Sequence, residues 1–436
     1  MELHDNYKIS NAKYFNVQPN QWTRVKLKHV LKSPITDGPH ETPELIDDGI
    51  PFVSAEAIKS LRVNFNLKRG YISRSDHERF CKKCKPQRGD ILLVKSGATT
   101  GNIALVDTDE EFSVWSPLAL IRSDPAIVLN TYLFQYLQSS EFRCQVELFW
   151  NYGTQQNIGM EVLGNQYVVY PPIPIQHAIV AYLNRKTVQI DRIIAYKETL
   201  IELLKETRQS IISEAVTKGI DPNVPLTDSN AEWIGQIPLH WKMSQSRWLF
   251  ALRKDRAFPD DEQLTASQKY GIVYQKDYME QGTRVVQVIT GDDILKHVEP
   301  NDFVISMRSF QGGIEWSGLR GKISSAYVML IPDNEKVYAP YFRWLLKSHK
   351  YIRALQSTSN LVRDGQALRY NNFKQVELPL IPIKEQMRIA SFLDAKTTLI
   401  DNLAEENQKQ IGLLKEYRAA IISETVTGKT KVVKGD

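Results

Sequence analysis

A stretch of some forty residues occurs twice in this chain, the second copy 210 residues after the first and without a gap. The first copy runs from about Gln176 to Thr217 and the second from Gln386 to Thr427. From Pro172 to Thr217, 21 of 46 positions are identical, so the two stretches are one element used twice, and that repeat fixes the architecture. Apolar or aliphatic-stemmed residues recur at Ile179, Leu183, Lys186, Ile190, Ile193, Lys197, Leu200, Leu204, Ile211 and Ala215. Their steps mostly alternate between four and three, the spacing of a coiled-coil seam. Pro172 and Pro174 stand where such a helix would begin and Gly219 where it would end. At 1.5 Å per residue each helix would be roughly 60 Å long. One such helix cannot bury its own stripe, but two in one chain can bury each other. The expected core of the pair is Ile179, Leu183, Ile190, Leu204 and Ile211 with Ile389, Leu393, Ile400, Leu414 and Ile421.

The repeat extends beyond the helices. Ser10, Asn11, Ala12, Pro19 and Trp22 match Ser229, Asn230, Ala231, Pro238 and Trp241 at an offset of 219. The unit is therefore a lead-in, a globular region and a long helix, used twice. If the helices run antiparallel, a pseudo-two-fold axis relates the copies. In the first globular region Gly89-Asp90 leads into Ile91–Val94 and then a loop, Lys95 to Gly101. Asn102 to Val106 and Ser113 to Ile121 look extended, and one helix is expected around Leu129 to Leu148. The second region echoes this with Asn301-Asp302, Phe303–Ser306, a loop through Gly313, and a helix around Ala339 to Leu355. The fold class is α+β: two mixed globular domains separated by two long helices pairing as an antiparallel coiled coil.

Composition narrows the class of protein. Charged content of 24% and hydrophobic content of 42% suit a globular chain of two to four domains. The net charge of +5 is compatible with a polyanionic partner. A polar N-terminus and no run of about 18 apolar residues lead to the expectation of a cytoplasmic protein with no membrane partner.

No catalytic residue is expected. The lone double proline, Pro171-Pro172, lacks the surroundings of a methyltransferase loop, and no phosphate-cradling Gly-Lys-Ser/Thr loop follows a strand. Asp394 and Lys396 have nuclease-like spacing, but Asn184 stands at the matching position of the other copy. Cys81 and Cys84, with His77 upstream, form half a zinc site without a nearby fourth ligand, so no metal is expected and the two cysteines read as free surface thiols. Basic residues carry more signal. Lys68 to Lys95 holds nine Lys/Arg against three Asp/Glu, and Lys242 to Arg256 holds five against one. Phosphates require such charge, and base edges are met by Arg, Lys, Gln and Asn on loops. The candidate DNA-binding residues are Lys95, Ser96, Thr99, Thr100, Gln155, Gln156 and Asn157 in the first region. In the second they are Arg308, Ser309, Gln311, Arg363 and Arg369.

With these residues in view, the chain resembles the specificity subunit of a type I restriction–modification enzyme. The resemblance rests on the helix ends SEAVTKG (213–219) and SETVTGK (423–429), and on the helix starts PPIPIQ (171–176) and IPIKEQ (381–386). It also rests on the connector DSNAEWIGQIPLHW (228–241) and the strand-loop units at 89–101 and 301–313. Gly412 departs from the repeat, replacing Glu202 inside the second helix. The resemblance implies a connector and first target-recognition domain over 1–172, then the central helix over 173–219. A connector and second recognition domain follow over 220–380, the distal helix over 381–428, and a tail over 429–436. It implies that each domain reads one half of a bipartite site on double-stranded DNA, and that the helices set the spacer and dock two modification (methyltransferase) subunits. Restriction subunits complete the complex. No cofactor belongs to this chain: S-adenosylmethionine is bound by the modification partner, and ATP and Mg by the restriction partner. The competing readings are a structural adaptor that binds no DNA and a free-standing DNA methyltransferase or nuclease.

Overall fold

The computed structural model describes residues 7–12, 15–149, 151–152, 156–268, 270–280, 294–306, 309–358 and 368–432. Two helices dominate, Ile173–Lys218 and Ile383–Val426. The chain divides into two compact units, residues 1–197 with 409–436 and residues 198–408. Each unit contains one mixed α/β domain and a stretch of both long helices, which pack against each other. Among the described residues no helix is long and apolar enough to cross a membrane.

Within each unit the helix stretches run antiparallel. In the first, the Arg418 guanidinium donates to Asp191 at 2.9 Å and the Lys197 ammonium to the Gln410 side chain. In the second, Arg208 Nε lies 3.0 Å from Asp401. These two arginine–aspartate bridges join the same repeated positions, with the copies exchanging roles. Exposed bridges of this kind are worth at most about 1 kcal/mol, so they record the register rather than create it.

The register comes from the seam, which is more regular than the sequence reading proposed. Leu183, Thr187, Ile190, Ile194, Lys197, Ile201, Leu204 and Arg208 step by four and three throughout and are all buried or half-buried. Ile193, expected in the seam, is 45% exposed, and Ile194 and Ile201 are buried in its stead. Lys186 and Leu200 are half-buried beside the seam. Of the named core residues, Ile179, Leu183, Ile190, Ile389, Leu393, Ile400 and Ile421 are buried, while Leu204, Ile211 and Leu414 are half-buried.

The first domain is built on a six-stranded sheet. Its central strand, Ile91–Val94, lies between Leu118–Ile121 and Ile103–Leu105, both antiparallel to it. Every residue of 91–94 and 118–121 is buried, which explains their unbroken apolar runs. Ser113–Ile121, expected to be one extended run, is two strands: Ser113–Val114 joins a separate three-stranded sheet and a turn at Trp115 intervenes. The second domain has a four-stranded sheet in which Phe303–Ile305 lies between Val328–Pro332 and Glu315–Trp316. Gly89 and Asn301, which introduce the two central strands, both adopt positive φ (90° and 76°). Only glycine and asparagine enter that region cheaply, so this turn requires one of them in each copy. The following aspartates, Asp90 and Asp302, each accept from a backbone N–H of the turn and from an arginine, Arg122 or Arg253.

The single helix expected in each domain is instead two. Asn130–Tyr136 and Ser140–Glu147 meet at Ser139, and Ala339–Leu345 and His349–Ser357 meet at Ser348. Each serine caps the second helix, accepting from the N–H of Phe142 or Tyr351. An N-cap residue has extended φ/ψ, so it ends one helix as it begins the next.

Three matched joints fasten each domain to the helices of its own unit. Gln176 and Gln386, both fully buried, accept from a domain backbone N–H (Leu129, Tyr338) and donate to two backbone carbonyls each. The Tyr132 and Tyr341 hydroxyls donate to the Val426 and Val216 carbonyls at 2.9 and 2.8 Å. Those carbonyls lie in the last turn of a long helix, where no helical N–H remains to receive them. Gln135 and the Trp344 indole N–H donate to Asn184 and Asp394. The Asp394 carboxylate, which also takes Arg343, is thus part of a joint.

Candidate DNA interface

The two loops following the central strands are hairpin connections at equivalent places in their sheets. In the first unit the loop spans residues 95–102, closed by Gly101 N–H donating to Val94 O at 2.8 Å. Gly97 and Gly101 have φ of 105° and 90°, a conformation that excludes most side chains. In the second unit the loop is longer and contains a short helix, Ser309–Gly312.

The loops employ several sequence candidates internally. The Thr100 hydroxyl donates to Gly97 O at 2.6 Å and the Ser309 hydroxyl accepts from Ser306 N–H at 2.8 Å. Lys95 Nζ sits 3.1 Å from the buried Asp37 carboxylate, which also binds Lys83. Ser96 and Asn157 meet as an antiparallel bridge, with Ile158 N–H donating to Lys95 O at 2.8 Å. Lys95, Ser96 and Asn157 are thereby gathered at one edge, and Thr99 and Asn157 are exposed there. In the second unit Gln311 is exposed and accepts from Gln268 at 3.4 Å, while Arg369 is exposed at the start of the short helix Tyr370–Phe373. Gln155, Arg308 and Arg363 lie outside the described residues, and of Gln156 only the backbone, paired with Tyr152, is described.

The basic stretch 68–95 is largely neutralised by distant acids. Arg74 pairs with Glu111, Arg79 with Glu41 and Asp76, Lys83 and Lys95 with Asp37, and Arg88 with Asp109. Apart from Asp76, these partners lie outside the stretch, where a local charge count could not register them. Lys82 and Lys85 remain exposed. The Asp37 carboxyl feels two opposed effects: burial pushes it up, and hydrogen bonds from Lys83 and Lys95 outweigh this and hold it below its ordinary value. A carboxyl depressed in the folded state contributes stability above its unfolded value, about pH 3.9, and the contribution is lost as pH falls through the folded value. Asp37→Asn is therefore expected to lower the unfolding midpoint at pH 7 and to leave a smaller drop between pH 7 and pH 3 than the wild type shows. Equal drops in both proteins would remove Asp37 from the acid response.

Cys84 is buried, and burial pushes its thiol up to about 11, so it is not the surface thiol expected from the sequence. Cys81 lies 3.5 Å from His77 Nε2 and is partly buried, which raises its thiol too. Among the described residues no group of three or more His, Cys, Asp or Glu is placed to hold a metal ion. Further cations emerge in the second unit: Arg247, from the basic stretch 242–256, and Arg353 and Lys374, which no local sequence pattern announces, are all exposed.

Comparison with known proteins supplies the family. The type I restriction modification DNA specificity domain matches residues 19–206 and again 238–412. The type I restriction enzyme MjaVIII specificity subunit of Methanocaldococcus jannaschii is 22% identical over 357 residues, 79% of each chain. The HsdS subunit from Thermoanaerobacter tengcongensis has a similar fold, with a TM-score of 0.56 at 16% identity over 95% of this chain and 98% of that one. A chain solved in work on complex assembly and conformational transition of the type I R-M system reaches a TM-score of 0.69 at 16% identity, over 95% of this chain and 99% of that one. The duplicated match follows the duplication of helices, turns and joints within the chain, which therefore belongs to the type I restriction–modification DNA specificity family as a non-catalytic recognition subunit.

Proposed function

We propose that each of the two domains reads one half of a bipartite site in double-stranded DNA and that the paired helices set the number of unread base pairs between the halves. The observation that carries this reading is one frame holding two contents. Turns, capping serines and helix joints recur position for position, while the hairpin loops at 95–102 and 306–314 differ in length and structure. Exposed loop residues such as Thr99, Asn157, Gln311 and Arg369 meet base edges or phosphates. Two modification subunits dock on the helices and supply S-adenosylmethionine, methylating adenine in each half-site after flipping it from the stack. Restriction subunits bring ATP and Mg. The complex works in the cytoplasm, where the DNA is.

The test is a methylome map of cells with and without this chain, the modification partner being present. The expected result is loss of N6-methyladenine at one asymmetric bipartite motif on deletion. An unchanged methylome, together with no sequence-selective DNA binding by the assembled complex, would favour the adaptor reading.

The spacer role has its own test. Seven residues inserted between Lys197 and Lys205, matched by seven in the facing stretch of the second helix, preserve the seam and add about 10 Å. That length corresponds to about three base pairs. The methylated motif is expected to keep both half-sites and gain a longer spacer. A changed half-site sequence would refute the ruler.

A further inference from the structure

A groove of about 1070 Å³ in the second unit carries charge that the reading loops do not explain. Its walls include Trp233, Arg247, Lys350, Arg353 and Lys374, against the two acids Glu232 and Glu377. Several cations of this unit are paired: Arg253 with Asp302, Arg320 with Asp260, Arg343 with Asp394, and Lys347 with Glu315. Among the described residues no carboxylate lies within ion-pair distance of Arg247, Arg353 or Lys374. Arg247 stacks 5.2 Å over Trp248, itself 62% exposed. Lys350 is half-buried, and burial and the neighbouring Lys218 charge both push its ammonium below the usual value. Among the described residues the groove's four cations thus outnumber its two acids, and three of the four form no ion pair.

Its position argues for DNA. The helix carrying Arg353, His349–Ser357, is bound to the second reading loop through Gln356 Nε2, which donates to Phe310 O at 2.8 Å. The short helix Tyr370–Phe373 has Arg369 at its start and Lys374 at its end. Its first cation is thus a candidate base or phosphate contact, and its last is a wall of the groove.

The first unit keeps a cation at only one of the four groove positions. Aligned on the capping serines and on the strands paired at the helix starts (242–245 with 377–380, 23–26 with 167–170), Arg247 corresponds to Lys28, Lys350 to Glu141, Arg353 to Cys144 and Lys374 to Gly164. Glu141 there is itself paired with Lys429. A partner present in two copies would find the groove once, so it does not suit a duplicated docking surface.

We propose that this groove holds the sugar–phosphate backbone of the duplex beside the half-site met by the second unit, with Arg247, Arg353 and Lys374 each on a phosphate. The proposal rests on the DNA-reading function above. It makes attachment unequal: the half of the site met by the second unit gains phosphate contacts from Arg353 and Lys374, which have no basic equivalent in the first unit.

The test uses the full chain assembled with its modification subunits, and duplexes with and without the motif found by the methylome map. Arg247→Ala, Arg353→Ala and Lys374→Ala are combined; all three are exposed, so the variant is expected to fold. Each phosphate contact contributes about 0.9 to the slope of log K against log salt. The slope is expected to fall by about 2–3, and both duplexes to bind about 10–100-fold more weakly near physiological salt. The preference for the motif duplex stays unchanged. An unchanged slope overturns the proposal. So does unchanged DNA affinity with impaired assembly, which would assign the groove to an acidic segment of a partner protein. Failure of the wild-type complex to prefer the motif duplex would instead overturn the DNA-reading function, and this proposal with it.

Discussion

Replacing Gln386 with leucine is expected to destabilise the second unit by about 3–6 kcal/mol, because three backbone groups lose their partners together. The amide of Gln386 accepts from Tyr338 N–H at 2.7 Å and donates to Lys336 O and Ile381 O, both at 2.7 Å, with the side chain fully buried. Each orphaned buried group costs about 1–3 kcal/mol, and leucine offers neither donor nor acceptor. Gln176 makes the same three contacts in the first unit, to Leu129 N–H, Ile127 O and Pro171 O, so Gln176→Leu should cost a similar amount there. Urea unfolding of each variant measures this. A loss below about 1 kcal/mol would mean that the freed carbonyls find water, and the joint would then be a weaker fastening than its geometry implies.

Phe250→Ala has the other large expected effect, about 3–5 kcal/mol. Phe250 is 1% exposed and makes edge-on contacts with Phe303, Phe342 and Phe373 at centroid distances of 5.4, 5.4 and 5.6 Å. Those rings come from a sheet strand, a domain helix and the short helix ahead of the second long helix, so one side chain ties three elements together. Alanine removes the transfer term, leaves a cavity, and forfeits edge-to-face attraction of about 0.5–1.5 kcal/mol per pair. Phe250→Leu should recover part of the loss. Urea midpoints for the two variants, together with methylation at the bipartite motif in cells, check both. Full methylation in cells carrying an Ala variant that is 3 kcal/mol less stable would separate domain stability from recognition.

Much of the frame was legible because it is repeated. The long helices, their proline starts, the glutamines at 176 and 386 and the Asp90/Asp302 turns all stand at matching positions, and each proves to do one local job twice. Aliphatic lysine stems and adjacent isoleucines let the four-three pattern start one residue early, at Lys186, Ile193 and Leu200, where the structure seats Thr187, Ile194 and Ile201. The domain helices were drawn as single elements because apolar residues continue through Ser139 and Ser348, which hides a cap that only geometry reveals. The DNA-facing residues were the least legible. Whether Lys95 or Arg79 is available depends on Asp37 and Glu41, acids that reach them from far away in the chain. The cations of the second-unit groove converge from three separate segments, so no window of sequence contains their pattern. Thr100 and Ser309 have the hydroxyl chemistry of base contacts, yet the turns that hold the loops open engage them first.

The tyrosine joint has a consequence for inheritance. Tyr132 and Tyr341 grip main-chain oxygens, and every residue type supplies a main-chain oxygen. Drift in the helix side chains therefore leaves this socket intact. A foreign domain that arrives by recombination with a tyrosine in register, and with backbone groups placed to meet the helix glutamine, would plug into the old frame. New DNA specificities can thus be acquired as whole cartridges, with co-adaptation confined to side-chain contacts such as Gln135 on Asn184 and Trp344 on Asp394.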